Sequence, residues 1–98
     1  MLLDADEVTW VEAEGDYVRV HAGGRGYLVR ETMAAIEARL DPARFARIHR
    51  SVIVNVTRVR ELAALTNHDY VVVLRDGTRL RSSRRYADRL RALVGNIL

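Results

Sequence analysis

The chain is 98 residues long, 49% hydrophobic and 30% charged, with no cysteine and a formal charge of +3 at pH 7. That length makes one domain spanning residues 1–98 with its own core feasible, and the composition is that of a globular chain rather than a disordered one. The missing cysteine excludes a disulfide framework, a thiolate metal site and a cysteine nucleophile, and the longest unbroken apolar run, Tyr70 to Leu74, is far short of a membrane span. Met1-Leu2-Leu3 runs straight into Asp4, Asp6 and Glu7, which is not a secretory leader, so the expected compartment is the cytoplasm with no membrane partner.

In chain order, Val8 to Ala13 is β-branched and aromatic and reads as a strand. Glu14-Gly15-Asp16 is turn chemistry, after which Tyr17 to His21 alternates as a second strand, with Val18 and Val20 on one face. Gly23-Gly24-Arg25-Gly26 supplies a hairpin loop, and Tyr27 to Arg30 returns as a third strand. Thr32 caps a short helix whose Met33, Ile36 and Leu40 fall on one face, and Pro42 stops it, with Asp41 able to cap a further brief helical turn. Phe45 is an apolar anchor before a short strand over 46–49. Residues 51–56 fit either a strand or two helical turns, because so short an apolar run does not decide by period. Strands are expected over 58–65 and 70–75 around the polar turn Thr66-Asn67-His68-Asp69. Asp76-Gly77 is a strong hairpin signal. Ser83 is placed as the cap of a closing helix with the apolar stripe Ala87, Leu90, Val94 and Ile97. The sum is six to eight short strands and two modest helices, and the missing crossover helices argue against parallel βαβ units.

The net charge hides a segregation. Residues 1–41 carry nine acids and four arginines, a net of −5, while residues 42–98 carry twelve arginines and four acids, a net of +8. All sixteen basic residues are arginine, a bias that a GC-rich genome can produce, but such a bias does not separate the charges. A basic C-terminal portion suits a polyanion. Arg44, Arg47 and Arg50 gather near His49, and Arg79, Arg81, Arg84 and Arg85 gather before the last helix. Arginine both pairs with phosphates and matches the O6/N7 edge of guanine, although a solvated sheet face explains Arg79 and Arg81 equally well. Arg84, placed in the first turn of a helix, opposes the macrodipole by tenths of a kcal/mol and so hints at an external anion. The six aromatics are dispersed, which favours duplex DNA over a single-strand stacking platform.

Catalysis finds little support. His21, His49 and His68 have no metal-ligand spacing, so neither a metal nor a cofactor is expected. His49 and Ser51 lack a nucleophile elbow and a third orienting acid, and surface polarity accounts for them. Glu12, Glu14 and Asp16 do not follow the calcium-loop order, and Gly23 to Gly26 lacks the phosphate-loop lysine and glycine spacing. The expectation is that the protein is not an enzyme.

Four motifs in order resemble the LytTR-type DNA-binding domain of bacterial response regulators. They are Val11 to Val18, Arg30-Glu31-Thr32-Met33, Phe45 to Asn55, and Asp76-Gly77 followed by Ser82-Ser83-Arg84-Arg85-Tyr86. The resemblance implies a mainly β fold, an elongated stack of small antiparallel sheets with one or two short helices. It implies a transcription factor domain, commonly joined to a receiver domain, whose loops enter successive major grooves and bend double-stranded DNA. Carried over by position, the first loop is Gly15, Asp16 and Tyr17 running into Val18 and Arg19. The second is His49, Arg50 and Ser51, and the third is Ser83 and Arg84. Base reading is expected of Arg50, Arg84 and Tyr17, phosphate contact of Arg19, Arg47, Ser51 and Arg85, and a structural role of Asn55. Pairing on direct-repeat sites, with RNA polymerase as a candidate partner and a monomer as the isolated domain, is likewise an implication of the resemblance. The family usually has a further strand before the segment that opens here, so a trimmed chain with an unpartnered first sheet edge is expected. Glu14 and Asp16 place negative charge in a DNA-facing loop, where they either accept from cytosine N4 or point away from phosphates. The competing class is a protein-interaction or dimerisation β module with only non-specific DNA affinity.

Overall fold

A computed structural model describes residues 5–95 of the chain. Eight strands form two antiparallel sheets. β1 (Val8–Glu14), β2 (Tyr17–Ala22), β3 (Arg25–Val29), β4 (Phe45–His49) and β5 (Val52–Asn55) make a five-stranded sheet in the order β3-β2-β1-β5-β4. β6 (Val59–Ala64), β7 (Tyr70–Leu74) and β8 (Arg79–Ser82) make a three-stranded sheet in sequence order. The helices are α1 (Met33–Arg39) and α2 (Ala87–Gly95), and the body measures 37 × 23 × 22 Å, longer in one direction. The mainly β architecture of small antiparallel sheets matches the expectation.

The large sheet is packed on both faces. One face, with Val11, Val18, Val20, Phe45 and Ile53, closes on Met33 and Ile36 of α1. The other, with Ala46, Ile48 and Val54, closes on Val59, Val72, Leu74 and Leu80 of the small sheet and on Leu90 and Val94 of α2. A β-bulge between Val8 and Trp10 turns Val8 and Val11 to the same side and sends Trp10 to the other, where it packs against the second core. A second irregularity in β4 lies at Ile48, which is fully buried. Each such aliphatic side chain contributes about 1.5–3 kcal/mol by leaving water.

Several sequence expectations change in detail. The glycine-rich loop is a two-residue turn at Gly23 and Gly24, φ +58° and +78°, because Arg25 and Gly26 already pair with β2. That pair of positive φ values is what a type I′ turn requires. The Asp76-Gly77 hairpin is not a two-residue primed turn. Gly77 N–H donates to Leu74 O at 3.0 Å and Leu74 N–H to Thr78 O at 2.8 Å, with positive φ at Gly77 alone (+91°). This is a three-residue loop, a turn closed by a glycine bulge, matched to the right-handed strand twist. Residues 51–56 resolve into β5 and a following 3-10 turn, Val56–Arg58. Pro42 opens a single turn capped by Asp41, as expected: the Asp41 carboxylate accepts from Ala43 N–H at 2.9 Å and its carbonyl from Arg44 and Phe45 N–H at 3.0 and 2.9 Å.

Thr32 does cap α1, accepting from Ala35 N–H at 3.0 Å. Ser83 makes no side-chain cap bond, and a 3-10 turn, Arg84–Tyr86, precedes α2. Arg84 is therefore outside the α-helix, and the macrodipole argument for it falls away. Ala87, Leu90 and Val94 form the buried stripe of α2 as expected, while Ile97 lies outside the described residues. β1 is central in the large sheet, paired with β2 on one side and β5 on the other, and the sheet's edges are β3 and β4.

Candidate nucleic-acid interface

Strand direction brings three of the expected loops to one end of the molecule. β1 ends at Glu14, and β5, antiparallel to it, begins beside it through the pair Glu12 and Val52. Ala13 N–H donates to Ser51 O at 2.9 Å, which ties the β1–β2 turn to the β4–β5 turn. Ser83 N–H donates to Ile48 O at 2.8 Å, which ties the segment after β8 to the same turn from its other side. Two backbone hydrogen bonds thus join segments that lie far apart in sequence.

In the first turn Gly15 has φ +62° and Asp16 does not share a positive φ, so the two-residue loop needs glycine at its first position alone. Tyr17 is exposed beside it, at 42%. In the second turn His49 Nδ1 accepts from Ser51 N–H at 3.2 Å and lies 2.9 Å from Ser51 Oγ. An accepting Nδ1 leaves Nε2–H as the donor of a neutral ring. Arg47 braces the same turn from below, donating to the Arg50 carbonyl, to His49 O at 3.4 Å and to Glu37 Oε1 of α1 at 3.1 Å. The guanidinium of Arg50 is exposed and has no protein partner among the described residues. Arg84 is likewise exposed and unpaired, while Arg85 lies over the Tyr86 ring at 5.6 Å. Arg84, Arg85 and Ser83 share an open groove of about 550 Å³ with Asn67 and Asp69 of the β6–β7 turn.

Two arginines expected on phosphates are each paired with a carboxylate of the chain. Arg47 reaches Glu37, and Arg19 forks onto Glu14 with Nε–Oε2 at 2.6 Å and Nη2–Oε1 at 3.0 Å. The hydrogen bond from Arg19 holds the Glu14 carboxyl below its ordinary range, and Glu14 in turn raises Arg19. Arg81 is similarly paired, with Asp69 at 3.1 Å. Asn55 is fully buried, away from any surface, as its expected structural role requires.

Sequence reading missed Glu37, Asn67 and the Glu14–Arg19 pair as parts of this end. Nothing local announces Glu37, which meets Arg47 only through tertiary packing. The Glu14–Arg19 pair was accessible, because a two-residue turn pairing Glu14 with Tyr17 puts Arg19 on the same face, one diagonal step away. Among the described residues no group of three or more histidines and acids could hold a metal. No described helix is long and apolar enough to cross a membrane.

Comparison with known proteins places this geometry. The family model of the LytTr DNA-binding domain matches residues 1–95. Sensory transduction protein LytT of Bacillus subtilis (strain 168) is 30% identical over 94 residues, covering 96% of this chain and 39% of its own length. Transcriptional regulatory protein LytR of Staphylococcus aureus (strain MW2) is 28% identical, covering 96% of this chain and 38% of its own. The chain therefore spans about two fifths of the length of these relatives. A solved LytTr DNA-binding domain from Bacillus cereus superposes with a TM-score of 0.88 at 26% identity, covering 97% of this chain and 87% of that one.

Proposed function

This chain belongs to the LytTr DNA-binding domain family, which is not a family of enzymes, and from that premise we propose that it is the duplex-DNA-binding output domain of a transcriptional regulator. The observation that carries the reading is the joining of three turns at one end by two backbone hydrogen bonds, with the guanidinium groups of Arg50 and Arg84 left unpaired there. A free, planar guanidinium on a turn tied to its neighbours is suited to the O6/N7 edge of guanine, and Arg50 and Arg84 take that role, with Tyr17 reading a base from the first turn. His49, Ser51, Ser83 and Arg85 contact the backbone, and Gly15 and Asp16 bring the first turn close to it. Arg47 acts on DNA only through the turn it braces. Loops in successive major grooves and a bent duplex, as the family resemblance implies, are the mode we assign.

Selection from a random duplex library, followed by mobility shifts at two salt concentrations, tests this. An enriched motif is expected, with log K falling by about 0.9 per phosphate neutralised for each unit of log salt. Arg84→Ala should cost ~1–3 kcal/mol on the selected site and relax one base position. A dimer in sedimentation with weak, sequence-blind DNA affinity would replace this reading with a protein-interaction module.

A further inference from the structure

We propose that Glu14, held in place by Arg19, reads a base in the first recognition turn by accepting a hydrogen bond from the exocyclic N4 amine of a cytosine. The inference rests on the reading of the β1–β2 turn as DNA-facing and assigns its chemical preference.

An acid at a DNA-binding end is repelled by phosphates and needs a reason to be there. The sequence leaves two, recognition of an amine or orientation away from the duplex. Glu14 is the last residue of β1, immediately before the Gly15–Asp16 turn, and its side chain is 48% exposed. Both of its oxygens are engaged by the Arg19 fork, at 2.6 and 3.0 Å. A carboxylate offers about four lone-pair sites, so the fork leaves acceptor capacity free. In the major groove cytosine presents a donor alone, guanine two acceptors, thymine an acceptor and a methyl, and adenine one of each. A fixed, acceptor-only group therefore fits cytosine and is opposed by guanine and thymine.

Fixing matters because a free glutamate gives up rotamer entropy when it reads a base, whereas a forked one has already given it up. The slot for Arg19 is built into the next strand. Gly26 of β3 lies under the Arg19 stem, where a Cβ would sit 3.1 Å from Arg19 Cδ and 3.1 Å from Nη1. A Cβ at 26 would press on this stem, which would have to give by a few tenths of an ångström. Glu12, the other acid on this face, is engaged differently, 2.6 Å from His21 Nε2. Arg19 in this arrangement is a positioning residue and not a phosphate ligand.

The experiment selects duplex sites with the wild-type chain, Glu14→Gln and Arg19→Gln, and measures affinity for the wild-type site across a salt series. Wild type should enrich a cytosine at one position of its motif. Glu14→Gln should alter that position alone, toward adenine, whose N6/N7 edge a carboxamide matches, with roughly tenfold weaker binding to the wild-type site. Arg19→Gln should keep the cytosine but blur it, with an unchanged salt slope. The proposal is overturned if Glu14→Gln selects the same base at every position. It is also overturned if Arg19→Gln lowers the slope by about 0.9, which would put Arg19 on a phosphate. A wild-type chain that enriches no motif overturns instead the DNA-recognition reading beneath it.

Discussion

Asn55→Ala should destabilise the domain strongly while leaving the DNA affinity of the folded fraction unchanged. Asn55 is fully buried at the end of β5. Its Nδ2 donates to Val8 O at 2.8 Å, and its Oδ1 accepts from Thr57 N–H at 3.0 Å and Thr57 Oγ1 at 2.6 Å. One carboxamide thus ties the start of β1, the end of β5 and the 3-10 turn that leads to the second sheet. Alanine strands the Val8 carbonyl in a buried setting, at about 1–3 kcal/mol. The two Thr57 groups are half-buried and regain some water, so each adds about 0.5–1 kcal/mol. The total is about 3 kcal/mol, which for a domain of this size lowers Tm by about 12–24 °C. Urea unfolding gives the free energy, and mobility shifts at low temperature give the affinity. A loss below ~1 kcal/mol would refute the hydrogen-bond argument. A normally folded variant with weakened DNA binding would refute the structural assignment and put Asn55 at the interface.

Arg47→Gln should remove the braces on the His49 and Arg50 carbonyls and the tie to Glu37, weakening the selected site more than random DNA; equal losses on both would return Arg47 to a phosphate role. Gly77→Ala meets no atom within 4 Å, so only its φ of +91° opposes it, and urea unfolding should show a loss of about 1 kcal/mol. The carboxyl of Glu14, lowered by the Arg19 hydrogen bond from an ordinary 4.5, and that of Asp76, lowered by the Thr78 backbone hydrogen bond from 3.8, contribute stability that is present above those values. That contribution is lost as pH falls through the lowered values, so unfolding free energy should decline less steeply with acid in Glu14→Gln and Asp76→Asn. Leu90→Ala, at a fully buried position of α2, should cost about 2–5 kcal/mol in the same assay.

Much of the fold was legible because its signals are local. Alternating Val18 and Val20 marked β2, Thr32 marked the start of α1, and the 0, 3, 7 spacing of Ala87, Leu90 and Val94 marked α2. Turn geometry was less legible, since Asp76-Gly77 is compatible with more than one hairpin loop and only the strand twist selects among them. The start of α2 was misplaced because Ser83 spends its backbone N–H on Ile48, a contact 35 positions away in sequence that fixes the chain before any helical turn begins.

By itself the sequence determined the mainly antiparallel β class, the two short helices, the segregated arginines and the motifs that identify the family. Local periodicity, turn residues and charge do not depend on what packs against them. Only the tertiary structure decided which arginines are free. Charge counts treat Arg19, Arg47, Arg50 and Arg84 alike, yet folding brings Glu14 to Arg19 and Glu37 to Arg47 and, among the described residues, no acid within ion-pair distance of the other two. A guanidinium pairs with whatever carboxylate the fold places within reach, and that distance is set by strand register and helix docking, not by position along the chain.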